Sequence, residues 1–467
     1  MFLFATNKWL TQLTIFAVFL VVTFFCGCSK QQQFNVLFIS IDTLRADHLG
    51  CYGYQRDTSP NIDQFAQQSL LFKNFFTVVP KTGPSMTSFF TGQYMQTHGV
   101  VDNNYLRASD SQSFVQLLPD HYQKAAFVAN PVLSAARGYA TGFDKYQVAS
   151  PNSNMGEWGQ EDISPNAIAW LRAAKDKGNF FLWLHYIDPH GPYSPPRDYQ
   201  DIFVNDGLYD SSRKVSLNYT PEEGINENYV LGAVPKYQRL GNNDAVDYYV
   251  TKYDAEIRYT DAEIGKVLDY LKESDQVANT IIVITADHGE SLGENDYYFE
   301  HGMMVNEGSI HIPLIIHHPN INEHVVFDAL MQNTDIATTL LNLISISSLH
   351  TKDGIDFSRI ILGKDIKSEL RKYTYSCTPY GYKDFLEAVR TKQNKLVRTN
   401  EQKHSVYDLI HDQKETTNIY HEEATSTIAE LIQIVTKFGK KTQQTPVKES
   451  PLKKSATDKL RTLGYSQ

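Results

Sequence analysis

Asn35-Val36-Leu37-Phe38-Ile39-Ser40-Ile41 runs straight into Asp42, and Thr280-Ile281-Ile282-Val283-Ile284-Thr285-Ala286 runs into Asp287-His288-Gly289-Glu290. Both apolar runs are continuous rather than alternating, the pattern of strands buried on both faces, as in a parallel sheet. A third run, residues 180–185, closes on His185, with Asp188 and His190 just behind. Helical patterns lie between them. One covers residues 59–71, opened by Thr58 or Ser59 ahead of Pro60. Another covers residues 253–273, where Ile257, Ile264, Val267, Leu268 and Leu271 make one apolar face. Strands alternating with helices predict an α/β fold. Ligands of such folds bind beyond the carboxyl ends of the strands, so Asp42, His185, Asp287 and His288 are expected to meet at one sheet edge. Two carboxylates and an imidazole suit a divalent metal ion. An Asp after a strand is commonly only a cap or turn residue, but Asp287 and His288 place two strong metal-binding types together at one tight turn.

The whole chain has room for that site. Its 467 residues, 42% hydrophobic and 21% charged, exclude collagen-like, low-complexity and disordered classes and fit one large domain with a smaller companion. A net charge of −10 provides no diffuse basic surface for a nucleic-acid backbone, so nucleic acid is not an expected partner. Residues 195–245, rich in Tyr, Asn, Asp and Pro, are expected to form a long loop shaping a pocket mouth. After residue 370 come short strand candidates at 372–377, 386–391 and 395–398, then a polar helix around 424–438. The expected division is a catalytic domain over 34–370, a C-terminal α+β subdomain over 371–440, and a flexible linker and terminal segment over 441–467, the Lys- and Thr-rich part spanning 440–455. Cys51 and Cys377, the only cysteines after Cys28, make no disulfide framework.

Residues 1–28 are a targeting segment. Lys8 is the only charge before Lys30, and the apolar run 13–25 falls short of the ~20 residues that span a bilayer, which fits a secretory signal. It ends in Phe25-Cys26-Gly27-Cys28-Ser29, which resembles a bacterial lipobox with Cys28 as the lipidated residue. An uncleaved anchor and plain secretion are the other readings. The expected location is the envelope of a bacterium, in the periplasm or on the outer surface, tethered to the membrane by lipid or anchor.

A second chemical element is Pro80-Lys81-Thr82-Gly83-Pro84-Ser85-Met86. A helix starting near Pro84 would set the Thr82 hydroxyl at an N-terminus that favours anions; the plainer reading is a capping Thr before a Pro at the first helical position.

Residues 35–54, from Asn35 through Asp42, Arg45, Asp47, Gly50 and Tyr54, followed by Thr58 to Asp63, resemble the opening of sulfatases in the alkaline phosphatase superfamily. The similarity continues through Thr91-Gly92 to His98-Gly99, His185 to Tyr193, Tyr253 to Asp261, Asp287-His288-Gly289-Glu290 with His301-Gly302, and Ile312-Pro313. Tyr407-Asp408-Leu409 and the terminal Leu460 to Tyr465 resemble the family's C-terminal part. The resemblance implies an alkaline-phosphatase-like fold: a large mixed, mostly parallel sheet flanked by helices. It also implies a divalent metal ion (Ca, Mg, Mn or Zn) on Asp42, Asp287, His288 and Thr82, with Thr82 at the nucleophile position. His98, His190 and His301 fall where family members contact the anion or protonate the leaving group.

Two departures from the family pattern bear on the reaction. The usual sulfatase nucleophile is a formylglycine made from Cys or Ser in a motif ending in Arg, whereas this chain has Thr82, and Met86 in place of the Arg. Thr43 stands where many sulfatases have a second carboxylate ligand. A sulfated formylglycine hydrate expels sulfate by collapsing to the aldehyde, an exit that a sulfated Thr lacks; a phosphorylated Thr can be attacked in line by water or an acceptor hydroxyl. The expected function is an exported metal-dependent hydrolase of sulfate or phosphate esters, with Thr82 favouring phosphoesters. The alternatives are an envelope phosphoryl-group transferase of phosphoethanolamine or phosphoglycerol type, and a catalytically silent lipoprotein that binds anionic glycans.

Overall fold

The two runs that end in carboxylates pair with each other. In the computed structural model, which describes residues 33–104, 112–148, 162–218, 230–321, 323–346, 353–364, 371–379, 385–420 and 426–442, strand β1 (Asn35–Ile41) lies at the centre of an eight-stranded sheet. The others in that sheet are β2 (Leu70–Phe76), β3 (Gln123–Val128), β4 (Lys145–Val148), β5 (Phe180–Tyr186), β6 (Thr280–Ala286), β9 (Leu314–His317) and β10 (Val325–Gln332), in the order β10-β2-β9-β6-β1-β5-β3-β4. A small ribbon, β7 (Ser291–Leu292) and β8 (Tyr298–Glu300), follows β6. β1 runs parallel to both β5 and β6, while β9 is antiparallel to β2 and β6. The sheet is therefore mixed and mostly parallel, as expected. All seven residues of β1, β5 and β6 are buried, each large apolar side chain contributing about 1.5–3 kcal/mol.

Helices α1 (Pro60–Ala66), α2 (Thr82–Thr91), α4 (Ile163–Ala174), α5 (Val246–Glu273) and α6 (Thr334–Leu343) share the core of this sheet, and the short α3 (Met95–His98) follows α2 and packs toward the C-terminal sheet. Aromatic contacts lock α2 in place: Phe89 and Phe90 lie edge-on to Phe38 of β1 at 5.7 and 6.2 Å, and Phe90 meets Trp183 of β5 at 4.7 Å. That clamp sets where Thr82, the first residue of α2, stands. Met86, in place of the family's Arg, packs into the core.

Residues 59–71 are not one helix. α1 stops at Ala66, and Leu70 and Leu71 begin β2, pairing with β10 on one side and β9 on the other. A short apolar run has no periodicity that separates strand from helix, and the sheet's unpaired backbone groups decide it. α5 begins at Val246, earlier than 253, because Val246 and Tyr249 also face the core. Residues 195–218 and 230–245 are largely irregular, as expected.

The C-terminal part forms an antiparallel sheet of β11 (Thr374–Cys377), β12 (Leu386–Arg390), β13 (Asn394–Thr399) and β14 (His404–Asp408), with helix α7 (Ser426–Thr442) beside it. Phe438 stacks on Tyr375 at 3.9 Å. β14 is absent from the strands expected above, since its polar sequence shows no alternation. Cys51 and Cys377 are free thiols. The targeting segment expected over 1–28, the linker expected after residue 440 beyond Thr442, and the terminal motif at 460–465 lie outside the described residues. Among the described residues no helix is long and apolar enough to cross a membrane.

Candidate metal centre and active site

Register explains how residues far apart in sequence converge. Ile41 is opposite Tyr186 on one side and Ala286 on the other, so Asp42 and Asp287, each the next residue, emerge side by side. Asp42 donates its N–H to Tyr186 O (2.9 Å), and Asp287 donates to Ile41 O (3.3 Å). Both side chains are fully buried. His288 Nε2 lies 3.7 Å from Asp42 Oδ1, 3.6 Å from Asp287 Oδ2 and 3.4 Å from Thr82 Oγ1. Four ligands on a small cation with bonds of about 2.1 Å would stand roughly 3.4 Å apart.

The tautomer of His288 supports a cation. Its Nδ1 is 2.9 Å from Gly289 O, a carbonyl that only accepts, so Nδ1 carries the proton and Nε2 turns a lone pair toward two carboxylates. Asp287 Oδ2 is buried with no hydrogen-bond partner. A lone pair and two carboxylates converging out of water repel one another unless a positive ion sits among them, so these residues fit a divalent metal.

Burial, then the neighbouring Asp42, pushes the Asp287 carboxyl well above the usual range. Burial would raise Asp42 as well, but the imidazoles of His185, His190 and His288 outweigh it and hold Asp42 below the usual carboxylate range. Burial takes His288 down to about 4. Metal binding therefore displaces a proton.

Gly289 has a steric reason. A Cβ there would stand 2.0 Å from Gly308 O, and the Gly289 N–H donates to Ser309 O at 2.9 Å, so two backbones touch directly behind His288. Gly289→Ala must push them apart and carry His288 with them. Metal affinity is expected to drop about 10–100-fold, the usual cost of disturbing a ligand's support, with a lowered Tm; calorimetric titration with Mn(II) and a thermal melt check both.

His190 and His301 join this cluster. The His301 ring lies 4.4 Å from that of His288 and 5.1 Å from that of His190. His301 Nδ1 is 3.2 Å from Glu290 Oε1, and its Nε2 is buried with no hydrogen-bond partner. His190 Nδ1 donates to Gly191 O at 2.8 Å. Burial lowers the pKa of both rings. His98 is hydrogen-bonded on both ring nitrogens: Nδ1 accepts from Val100 N (3.1 Å), which leaves Nε2–H to donate to Ser88 Oγ (3.0 Å). It ties α3 to α2.

Thr82 is the first residue inside α2, with Lys81 as N-cap, so the helix starts ahead of Pro84 and Thr82 is not the capping residue. The Gly83 N–H is taken by Asn103 Oδ1 at 2.8 Å, so that helix-end donor is not open to an anion. Thr43 has a left-handed backbone (φ 55°) rare for a β-branched residue, and its N–H donates to Asp287 Oδ1 at 3.2 Å.

Two residues of the site, Lys81 and Asn130, went unread in the sequence, whereas His185 was expected at this sheet edge. Lys81 is buried, its ammonium 3.5 Å from where a Gly302 Cβ would be, and its charge acts on His190, His288 and His301. Asn130 donates to Asp42 Oδ2. His185 Nε2 lies 3.5 Å from the same oxygen, and Asp42, His185 and Asp287 each offer an atom within 4.8 Å of the others. Adjacency to Thr82 is the one sequence signal for Lys81; Asn130 had none.

Buried carboxylates set a pH dependence in the metal-free chain. Burial raises Asp287, Glu256 and Glu290 well above normal, and takes Glu300 up to about 7 against the opposing Lys81 and Tyr237. Raised carboxyls hold protons in the folded state that the unfolded chain has released. Their stabilisation is complete below the unfolded pKa and is lost as pH rises through the folded one. Above pH 7 the buried His190, His288 and His301, which burial holds below their ordinary pKa, are neutral in the folded state and do not offset this. Between pH 7 and 8.5 the chelated protein is expected to lose about 1.4 kcal/mol per pH unit for each carboxyl still protonated. Calorimetry in chelator, then with saturating Mn(II), should show the slope and the loss of the share that Asp287 contributes.

Comparisons with known proteins identify the family. A profile described as Sulfatase matches residues 34–346, and one described as N-sulphoglucosamine sulphohydrolase, C-terminal, matches 293–442. The chain is 25% identical to an arylsulfatase of Clostridium perfringens, over 83% of this chain and 90% of that one. It is 24% identical to an N-acetylglucosamine-6-O-sulfatase of Bacteroides thetaiotaomicron, over 83% and 82%. In fold it is similar to a protein solved with its substrate D-glucosamine-2-N,6-O-disulfate, with a TM-score of 0.74 and 22% identity over 88% of this chain and 99% of that one. It is also similar in fold to the phosphonate monoester hydrolase of Agrobacterium radiobacter, with a TM-score of 0.70 and 18% identity over 89% and 96%. Because the match over residues 34–346 takes in every strand of the main sheet and the whole carboxylate–imidazole cluster, the chain belongs to the sulfatase family of hydrolases.

Proposed function

We propose that the chain is an exported, metal-dependent ester hydrolase in which Thr82 is the nucleophile and phosphoesters are preferred to sulfate esters. The observation that carries this reading is the Thr82 hydroxyl, buried 3.4 Å from His288 Nε2 among the metal-ligating groups. Asp42, Asp287, His288 and Thr82 would hold the ion, whose charge lowers the hydroxyl's pKa and neutralises the oxygens of the group being transferred. Thr82 Oγ bonds to phosphorus as the ester oxygen leaves, and its proton passes through a neutral imidazole, His190 or His301, to that oxygen. Water then displaces Thr82, releasing phosphate and restoring the hydroxyl. The likeness to a phosphonate monoester hydrolase supports a phosphorus-centred reaction on this fold.

A panel of aryl sulfate, phosphate monoester, phosphodiester and phosphonate monoester, run on detergent-extracted protein with several metals, tests the preference. A phosphorus ester should lead in kcat/KM by about 100-fold or more, in line with a nucleophile poorly suited to sulfate release; an aryl sulfate in the lead would reverse the assignment. The tether at Cys28 rests on sequence, and intact-mass measurement of the extracted protein should find lipid on a chain beginning there.

A further inference from the structure

His185 lies inside the cluster that would hold a metal, yet its hydrogen bonds give it the opposite tautomer to His288. We infer that His185 is not a ligand but a positioning residue: its Nε2–H holds Asp42 Oδ2, with the tautomer set by Trp183 and Ser40. The inference rests on the metal site described above.

Trp183 Nε1 can only donate, and it lies 2.9 Å from Ser40 Oγ. Ser40 Oγ therefore accepts and must place its own proton elsewhere. Two acceptors are within reach, His185 Nδ1 at 2.8 Å and Leu184 O at 3.5 Å, and the nearer is His185. An Nδ1 that accepts leaves the proton of a neutral imidazole on Nε2. That atom is buried, makes no hydrogen bond, and lies 3.5 Å from Asp42 Oδ2, close enough for attraction but not for a bond. A proton pointed at a carboxylate attracts it, whereas a lone pair there would repel it.

Backbone register makes the arrangement. Ser40 and His185 are opposite each other across β1 and β5, and Ser40 and Asp42 share a face because side chains alternate along a strand. His185 thus reaches Asp42 from one pleat below. Trp183 cannot swing away, wedged against Phe90 at 4.7 Å and Phe143 at 6.1 Å. With Asn130 also donating to Oδ2, Asp42 turns Oδ1, the oxygen 3.7 Å from His288 Nε2, toward the ion.

The test uses the full chain and Mn(II) alone. In chelated protein labelled with 15N-histidine, His185 should be protonated on Nε2. With Mn(II) bound, electron spin-echo modulation should show one imidazole nitrogen, lost in His288→Ala and kept in His185→Gln. His185→Gln should weaken Mn(II) binding about 10–100-fold, and Ser40→Ala should weaken it by a smaller factor, keeping the question open to measurement if His185→Gln misfolds. Two imidazole nitrogens, one of them lost in His185→Gln, would make His185 a ligand and overturn the inference while leaving the metal site intact. Unchanged affinity in both variants would make His185 a bystander and overturn it too. A wild-type chain that binds no Mn(II) would end the metal reading and this inference together.

Discussion

Thr82→Ala is expected to lower kcat by about 1,000-fold or more, the scale on which removal of a covalent nucleophile acts, while leaving fold and most metal affinity in place. The fold should survive because Thr82 is inside α2 rather than its cap, and Ala is the best helix former. α2 stays anchored by Phe89 and Phe90 against Phe38. Metal affinity should survive because Asp42, Asp287 and His288 remain and water can take the hydroxyl's place. What is lost is the oxygen that forms the covalent bond. Brief incubation of wild type with a phosphodiester, acid quench and peptide mass mapping should place phosphate on the peptide containing Thr82. Thr82→Cys should not acquire sulfatase chemistry, since Met86 occupies the Arg position of the maturation motif and lies buried in the core. Near-wild-type turnover in Thr82→Ala on the best substrate would place the nucleophile elsewhere.

Asp287→Asn is expected to abolish both metal uptake and activity while making the metal-free protein more stable. Asp287 Oδ1 accepts from Thr43 N at 3.2 Å and from His288 N at 2.7 Å, and an Asn carbonyl can keep both. The strained Thr43 backbone and the turn into His288 are therefore retained. The negative charge is lost, and with it a group that burial and Asp42 already push toward its neutral form. The metal-free Tm at pH 8 should therefore rise, and the increase in Tm produced by Mn(II) should vanish. Affinity should fall by more than the ~10–100-fold that loss of a supporting residue costs. A variant that still binds Mn(II) as tightly as wild type would remove Asp287 from the ligand set.

The sequence by itself determined the strands and the edge at which chemistry gathers. β1, β5 and β6 are legible because burial on both faces demands unbroken apolar runs, and Asp42 and Asp287 stand out because a carboxylate directly after such a run sits at the mouth of the sheet. Tertiary structure decided what each side chain does there. Residues 59–71 split into helix and strand because β9 and β10 offered backbone partners more than two hundred residues away. His98, His185 and His288 are the same residue type, yet Ser88 and Val100 bind one into the scaffold, Ser40 and Trp183 turn the second into a donor, and the Gly289 carbonyl turns the third into a lone pair aimed at Asp42 and Asp287. Lys81, beside Thr82 in sequence, is buried in the site through its packing against Gly302. A tautomer depends on the nearest donor or acceptor in space: for His288 that is the carbonyl of the next residue, whereas for His185 strand register brings Ser40 to 2.8 Å from 145 residues away, which local periodicity does not reveal.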